Sequence, residues 1–350
     1  MKPLHFLLLP VLALAGCGAP EQAADAPEDT TVSETLTIYS ARHYDSDQLL
    51  YDQFEADTGI SIDVREQSAD QLLETMRAEG DQSPADLVIA SDAGALWRFK
   101  DAGLTQAVSA PTLEAAIPES YRDPAGHWFA LARRVRLVAY DAEQVDADAV
   151  NSWQALSDPA LEGEICVRTS SNIYNLSLMA EIIERLGPDA AQSWAEGVSA
   201  NFARQPQGGD TDQIRAVAAG ECSVAIVNHY YWARLAASES ESDAAVAEKT
   251  TLIVPSFGDG GGAHVNVTGA AITATADNVD TATAFIEFLL TDGGQALLTR
   301  ETKELPLFDG ETPSEGAQAI PAFEASNTPL TKFGENQAEA QRLYDLAGWN

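Results

Sequence analysis

The sequence predicts an α/β protein built as two lobes that are joined by two extended crossings. Short apolar runs alternate with amphipathic stretches in two separate sets, and each set is followed by an extended segment longer than an ordinary strand. Of the 350 residues, 45% are hydrophobic and 21% are charged, which is the composition of a folded globular protein rather than a disordered one.

The first set of alternating elements begins at residue 35. Its predicted strands are residues 35–40, 60–65 and 85–90, and its predicted helices are residues 45–57, 68–79 and 92–100. The run at 85–90 is continuously apolar, which is typical of a strand in a parallel sheet covered by helices on both faces. Residues 128–140 then form the first predicted crossing.

The second set follows that crossing. Its predicted strands are residues 164–168 and 222–227, and its predicted helices are residues 174–186, 210–219 and 230–237. Residues 252–256 and 264–273 form the predicted return crossing, with a glycine-rich loop at 258–262 between them. Helices are predicted last at 280–290, 292–304 and 335–346. Ligands of hinged folds of this kind bind between the lobes, at strand ends and helix starts.

The N-terminus carries the features of an export signal. A basic start precedes a largely apolar stretch, residues 4–14, which is too short to span a bilayer. The sequence Leu14-Ala15-Gly16-Cys17 resembles a lipoprotein cleavage site. We therefore predict a signal peptide at 1–16, a lipid on Cys17 and a flexible tether at 17–34, which would anchor the protein in the cell envelope.

The formal net charge of −34 bears on possible partners. Nucleic acid is excluded because a field of this sign repels phosphate, and anionic membrane surfaces are disfavoured for the same reason. A cationic ligand would be attracted. An acidic surface that serves only solubility in a salty environment explains the charge equally well.

Two cysteines remain after Cys17, and we predict that they form a disulfide. Cys166 and Cys222 both stand at the beginnings of predicted strands of the second lobe. Export favours oxidation, and adjacent parallel strands bring Cα atoms within disulfide range. Two separate buried thiols are the alternative.

The sequence lacks the common catalytic signatures, including G-x-S-x-G, H-E-x-x-H, a Walker loop and G-x-G-x-x-G. The glycine run at 258–262 has no following Lys-Ser/Thr and is interpreted as a loop. The sequence therefore predicts a binding protein and not an enzyme.

Four tyrosines share one topological position. Tyr44, Tyr174, Tyr230 and Tyr231 all lie at predicted strand-to-helix turns, where a ligand in the cleft would be met. A phenolate is a hard anionic donor that suits ferric iron, whereas softer or divalent metals favour Cys or His. An aromatic cleft that stacks an organic cation, such as a polyamine or a thiamine-like molecule, fits the same residues.

Several segments resemble the ferric-iron-binding proteins of ABC importers, also called bacterial transferrins. The matching segments are YSARHY at 39–44, SPAD at 83–86, RTSSNIYN at 168–175, GDTDQI at 209–214 with AVAAGEC at 216–222, and NHYYWARL at 228–235. The similarity extends from about residue 35 to about residue 345 and resembles the tyrosine-rich branch of the family.

The resemblance implies a two-lobed periplasmic-binding-protein fold of class II, in which each lobe is a mixed sheet flanked by helices and two strands form the hinge. It implies a first lobe at 35–130 plus about 266–310, and a second at about 131–265 plus 311–350. The implied function is capture of ferric iron by a monomer and delivery to an ABC permease, with a cleft for a small organic ligand as the alternative.

The resemblance also implies the site. The first lobe would supply His43 or Tyr44, and the second lobe would supply Tyr174, Tyr230 and Tyr231. In another branch of the family a carboxylate ligand falls near Asp92. By its position one helical turn after Tyr230 and Tyr231, Arg234 is a candidate to offset phenolate charge or to hold an anion such as carbonate, and a surface ion pair explains it equally well. Arg42 and Arg168 are weaker candidates for the same role.

Overall fold

The computed structural model describes residues 1, 35–42, 44–258, 260–308 and 310–350. The predicted lipid-bearing Cys17, the predicted tether and His43 lie outside this range, as does the predicted signal peptide apart from Met1. Within the described part of the chain, no helix combines the length and apolar character needed to cross a membrane.

The described residues form nine strands and thirteen α-helices. The strands are β1 Thr35–Ser40, β2 Ser61–Glu66, β3 Leu87–Ala90, β4 Phe129–Tyr140, β5 Ile165–Cys166, β6 Val224–Asn228, β7 Thr251–Ile253, β8 Val265–Ile272 and β9 Leu305–Pro306. The helices are α1 Asp47–Thr58, α2 Ala69–Glu79, α3 Ala93–Asp101, α4 Pro111–Ala116, α5 Ile173–Leu186, α6 Pro188–Ala200, α7 Asp210–Ala219, α8 His229–Ala236, α9 Glu241–Glu248, α10 Val279–Leu289, α11 Asp292–Arg300, α12 Lys332–Glu335 and α13 Gln337–Leu346.

The strands form one curled mixed sheet in the order β2-β1-β3-β8-β4-β6-β5, and β7 and β9 pair with β4 off this path. Strands β2, β1 and β3 are parallel to one another, as are β5 and β6. The antiparallel strands β8 and β4 join these two parallel groups. The predicted α/β two-lobed fold is confirmed.

The two predicted crossings are β4 and β8. The first half of β4 pairs with β8, and its second half pairs with β6 and β7. Every residue of β4 except Arg133 is buried, as are all eight residues of β8. This long buried pair forms the two-strand hinge, which explains why both segments are mostly apolar in sequence.

Each lobe has its own hydrophobic core. The first contains Leu36, Phe54, Leu72, Leu96, Phe285 and other residues of 36–132 and 267–333. The second contains Trp153, Leu178, Ile182, Trp194, Trp349 and other residues of 138–257 and 340–349. The polar residues at the strand ends lie between these two cores.

Local capping sets the points at which the helices begin. Ser68 accepts from the backbone N–H of Gln71 and forms a capping box with it at the start of α2. Asp92 caps α3 by accepting from the Gly94 N–H, and Asn172 caps α5 by accepting from the Tyr174 N–H. These caps fix where α2, α3 and α5 start, and the start of α5 carries a candidate tyrosine.

Cys166 ends β5, and Cys222 lies just before β6. Because β5 and β6 are adjacent and parallel, the two Cα atoms are 5.9 Å apart, and the structure pairs the two sulfurs at 2.10 Å. The arrangement is the one predicted from the positions of the two cysteines.

Candidate metal centre

The four predicted tyrosines meet in one cluster. Tyr230 and Tyr231 have ring centroids 4.5 Å apart at the start of α8. Tyr174, at the start of α5, interacts with both of them strongly enough to lower its own pKa. Tyr44, which follows β1 in the first lobe, accepts a 3.2 Å hydrogen bond from Arg234 Nη2 of α8. The cluster therefore draws one phenol from the first lobe and three from the second.

The sequence around Tyr230 fixes it firmly. Strand β6 ends at Asn228 and α8 begins at the next residue, so both consecutive tyrosines lie in the first helical turn. Tyr230 is fully buried, and its hydroxyl accepts a 3.1 Å hydrogen bond from Asn228 Nδ2. Tyr231, Tyr174 and Tyr44 are partly exposed, which leaves the cluster open to the cleft.

Four guanidinium groups surround the phenols. Arg234 lies over the rings of Tyr44, Tyr230 and Tyr231 at 5.1, 5.0 and 5.1 Å. The remaining stacked pairs are Arg42 over Tyr44 at 5.1 Å, Arg168 over Tyr174 at 5.4 Å, and Arg134 over Tyr230 at 4.7 Å and over Tyr174 at 5.8 Å. The cluster therefore places four cationic groups within cation–π distance of its phenol rings.

The phenols do not ionise alike. Burial opposes ionisation of Tyr174, but Arg134 and hydrogen bonds from Tyr230 and Tyr231 outweigh it, so the pKa of Tyr174 lies below its ordinary value. Burial raises the pKa of Tyr230 and of Tyr231, and the proximity of Tyr174 raises both further. Among the three phenols of the second lobe, Tyr174 is therefore the one that loses its proton most easily.

Arg134 is a site residue that the sequence-based prediction missed. It lies in β4 and is 1% exposed. Its Nε donates to Glu304, its Nη1 donates to the Ser91 carbonyl at 2.8 Å, and its buried Nη2 has no hydrogen-bond partner. The available signal was the presence of Arg133, Arg134 and Arg136 in a crossing that is otherwise apolar, since a buried guanidinium requires a partner.

The three predicted arginines are held in different ways. Arg42 is buried and bound to Asp47 at 2.7 Å and to Glu304 at 2.8 Å, so its donors are committed to carboxylates. Arg168 is partly exposed and contacts Asp210 at 3.3 Å. All three arginines lie against the tyrosine cluster.

Arg234 is the predicted arginine with the most direct contact to a phenol oxygen. Its Nε donates to the carbonyl of Thr302 at 3.3 Å while its Nη2 donates to Tyr44. This hydrogen bond joins α8 of the second lobe to the segment after β1 in the first.

Asp92, the position at which another branch of the family has a carboxylate ligand, is occupied by structural contacts. Its oxygens accept from Gly94 N–H at 2.7 Å, from Ser177 Oγ at 2.9 Å and from Asn266 Nδ2 at 2.7 Å. Burial raises the pKa of Asp92. The side chain caps α3 and connects it to α5 and β8.

His229, the residue before Tyr230, is held in its neutral form. Its Nδ1 accepts from the Val135 N–H at 3.2 Å, and its Nε2 donates to the Lys303 carbonyl at 3.0 Å. Burial lowers the pKa of His229 to about 3. Because the imidazole is enclosed by protein, His229 should add no titration step near pH 6.5.

A cavity of about 290 Å³ opens beside Tyr174. It is lined by the starts of α2, α3 and α5, including Ser68, Ser91 and Asn172. Within the ranges that the structure describes, no group of three or more His, Cys, Asp or Glu is placed to hold a metal ion.

Two lobes on a two-strand hinge, with a cluster of polar aromatic residues between their cores, define a hinged solute-binding protein. Residues 82–328 match the family of bacterial extracellular solute-binding proteins, and the chain belongs to that family. Iron uptake protein A1 of Synechocystis sp. is 38% identical over 338 residues, which are 96% of this chain and 93% of the relative. The major ferric iron-binding protein of Neisseria meningitidis serogroup B is 28% identical over 331 residues, covering 93% and 96% of the two chains.

Solved structures agree with these relatives. Trichodesmium FutA in complex with iron and citrate superposes with a TM-score of 0.86 at 38% identity, covering 90% of this chain and all of the other. The ferric binding protein from Campylobacter jejuni gives a TM-score of 0.85 at 36% identity with the same coverage. The resemblance inferred from sequence motifs is confirmed, and these relatives are named for iron uptake and ferric-iron binding rather than for a reaction.

Proposed function

We propose that this protein captures ferric iron in the cleft between its lobes and delivers it to an ABC permease. The observation that supports the proposal is the cluster of four phenols whose rings lie against four guanidinium groups, with phenols contributed from both lobes. The names of its relatives support the same cargo. We further propose that it acts as a monomer, tethered through a lipid on Cys17.

The charge of the site suits a trivalent cation. Four phenolates and one ferric ion sum to −4 + 3 = −1, and this residual charge would lie among Arg42, Arg134, Arg168 and Arg234. Phenolate oxygens are hard donors that prefer ferric iron. The arginines lower the cost of holding four phenolates together, although they repel the incoming ion, so iron binding depends on the loss of the phenol protons.

The two lobes would contribute at different stages. Tyr174, Tyr230 and Tyr231 belong to one wall and would hold iron while the cleft is open. Tyr44 would reach the iron as the first lobe closes. In the present structure Tyr44 contacts Arg234 of the second lobe. We also propose that a small anion such as carbonate completes the site, with Arg168 and Arg234 as its partners and the cavity beside Tyr174 as its entrance. His43 remains a candidate ligand.

Aerobic loading with ferric nitrilotriacetate tests the function. The expected result is a visible charge-transfer band from ferric tyrosinate and about one iron per chain by elemental analysis. A polyamine or a thiamine-like cation would give binding heat without such a band. Heat with an organic cation, and neither colour nor iron after loading, would replace the iron proposal with the organic-ligand alternative.

We propose that Cys166 and Cys222 are oxidised in the exported protein. The bond would close a 56-residue separation, for which chain entropy suggests about 4 kcal/mol of stabilisation. Thiol titration of the unfolded mature domain, with Cys17 lipidated or removed, should find no thiols before reduction and two afterwards. Two thiols before reduction would contradict the proposal.

Iron affinity should fall steadily as the pH falls from 8 to 5. Phenolates must lose their protons to bind, and the raised pKa of Tyr230 and of Tyr231 makes protons strong competitors of the metal. His229 should add no step in this range because its pKa is about 3. The absorbance of the loaded protein, titrated against a chelator of known protonation, measures this dependence, and a constant affinity from pH 8 to 5 would argue against phenolate ligation.

A further inference from the structure

We infer that Asn228 is a positioning residue for Tyr230, one that holds the phenol oxygen as a hydrogen-bond acceptor and so fixes the direction in which it can bind iron. The inference rests on the proposed function and extends it to a side chain that would not itself touch the ion. Asn228 is 4% exposed and lies at the end of β6, immediately before α8.

The orientation of the Asn228 amide is determined by Arg136. Arginine can only donate, and Arg136 Nη1 lies 3.0 Å from Asn228 Oδ1, so this oxygen must face the guanidinium. The amide nitrogen then faces Tyr230 Oη at 3.1 Å and donates to it. In the reversed orientation the Asn228 NH2 group would face the Arg136 guanidinium, so two donors would meet. That orientation is disfavoured.

Arg136 is itself held from several sides. It is 1% exposed, and it donates to Asp210 Oδ2 at 3.2 Å and to Asn175 Oδ1 at 2.5 Å. Asp210 also accepts from the backbone N–H of Asn228 at 2.7 Å. The side chain and the backbone N–H of Asn228 are therefore both fixed by buried, charge-assisted contacts.

The hydrogen bonds run in one direction toward the cluster. Arg136 donates to Asn228 and Asn228 donates to Tyr230, whose ring lies 4.5 Å from that of Tyr231. When iron displaces the phenol proton of Tyr230, the Asn228 bond remains and occupies one side of the oxygen. The other side of the oxygen is then available to the ion, with Tyr174 and Tyr231 as neighbouring phenols.

Asn228→Asp tests this role because it preserves the shape and replaces the donor with an acceptor. Hydrogen bonding lowers the energy of the phenolate electrons, so its loss should move the ferric tyrosinate band to longer wavelength. The affinity for iron should fall by about tenfold or more, since a hydrogen bond to a charged group is lost and a carboxylate oxygen faces the phenolate. Asn228→Ala removes the donor without adding charge and should give the same direction of shift.

Asn175→Asp is the matched control. It makes the same change on another amide bound to Arg136, but the Asn175 amide nitrogen donates to the carbonyls of Arg168 and Thr169 and not to a tyrosine. This control should leave the band position unchanged even if it lowers stability. A coloured wild-type protein with unshifted bands in both Asn228→Asp and Asn228→Ala would overturn the inference while leaving the iron proposal standing. If Asn228→Asp fails to fold, the band of Asn228→Ala decides the matter.

Discussion

Replacing Tyr230 or Tyr231 with phenylalanine should abolish the visible band, or weaken iron binding by about 100-fold or more, with the fold intact. Each change keeps the ring and its packing but deletes the oxygen that would bind the metal, a loss expected to exceed about 3 kcal/mol. The contact between the two tilted rings, whose centroids are 4.5 Å apart, would be preserved, so the apo protein should unfold at nearly the same denaturant concentration. Absorbance titration with ferric nitrilotriacetate measures the effect.

Tyr140→Phe is the control for these variants. Tyr140 is 5% exposed and ends β4, where it pairs with the first residues of β6 and β7, away from the end of β6 that leads into α8. Removing the Tyr140 hydroxyl should leave the ferric tyrosinate band unchanged. Tyr44→Phe should weaken binding less and impair closure more, because Tyr44 comes from the other lobe. Full colour and unchanged affinity in both Tyr230→Phe and Tyr231→Phe would refute the assigned site.

Glu304→Gln should lower the free energy of unfolding of the iron-free protein by about 3–5 kcal/mol. The Glu304 carboxylate is fully buried, contacts Arg42 at 2.8 Å and also contacts Arg134 and Thr268. Removing its charge leaves two buried guanidinium groups with less compensation. Urea denaturation of the apo protein measures the loss.

The pH dependence of stability gives a second measure of what the Glu304 carboxylate contributes to the free energy of unfolding. Burial raises the pKa of this carboxyl, but Arg134 and Arg42 outweigh burial and hold it well below its usual range. The stabilisation is therefore complete above the ordinary carboxyl pKa and is lost as the pH falls toward the folded value. Glu304→Gln should lose less stability on acidification than the wild type. Glu301→Gln, an exposed partner of Arg300, should cost at most about 1 kcal/mol, and an equal loss in both variants would contradict the prediction.

The sequence predicted the positions of the four tyrosines because strand-to-helix turns can be recognised locally. A buried strand followed by a helix places the side chains of the connecting turn at one edge of the sheet, and this does not depend on contacts with distant parts of the chain. The same reasoning predicted that Cys166 and Cys222 would be neighbours, since parallel strands of one lobe bring their starts together.

Contacts between distant segments could not be predicted in this way. Arg134 and Glu304 are 170 residues apart, and no local pattern links them. Helix α6, Pro188–Ala200, was not predicted because its buried face is formed largely of alanine, with Trp194 and Val198 as its larger members. Strand β5 was predicted as residues 164–168, but only Ile165–Cys166 pair with β6, since the chain then turns toward α5.

The pairing of β4 with β8 has a mechanical consequence. Residues 129–135 are paired with 265–270 across the boundary between the lobes, with a register shift between Ala130 and Ala132 opposite Gly269. Any opening of the cleft must therefore bend a hydrogen-bonded ribbon rather than swing about a loose loop, and an irregularity of this kind is where such a ribbon bends most easily. A bent ribbon stores elastic energy and returns to its resting angle. The empty protein should accordingly have a preferred opening angle, and contacts with the cargo must overcome the restoring force of the two strands.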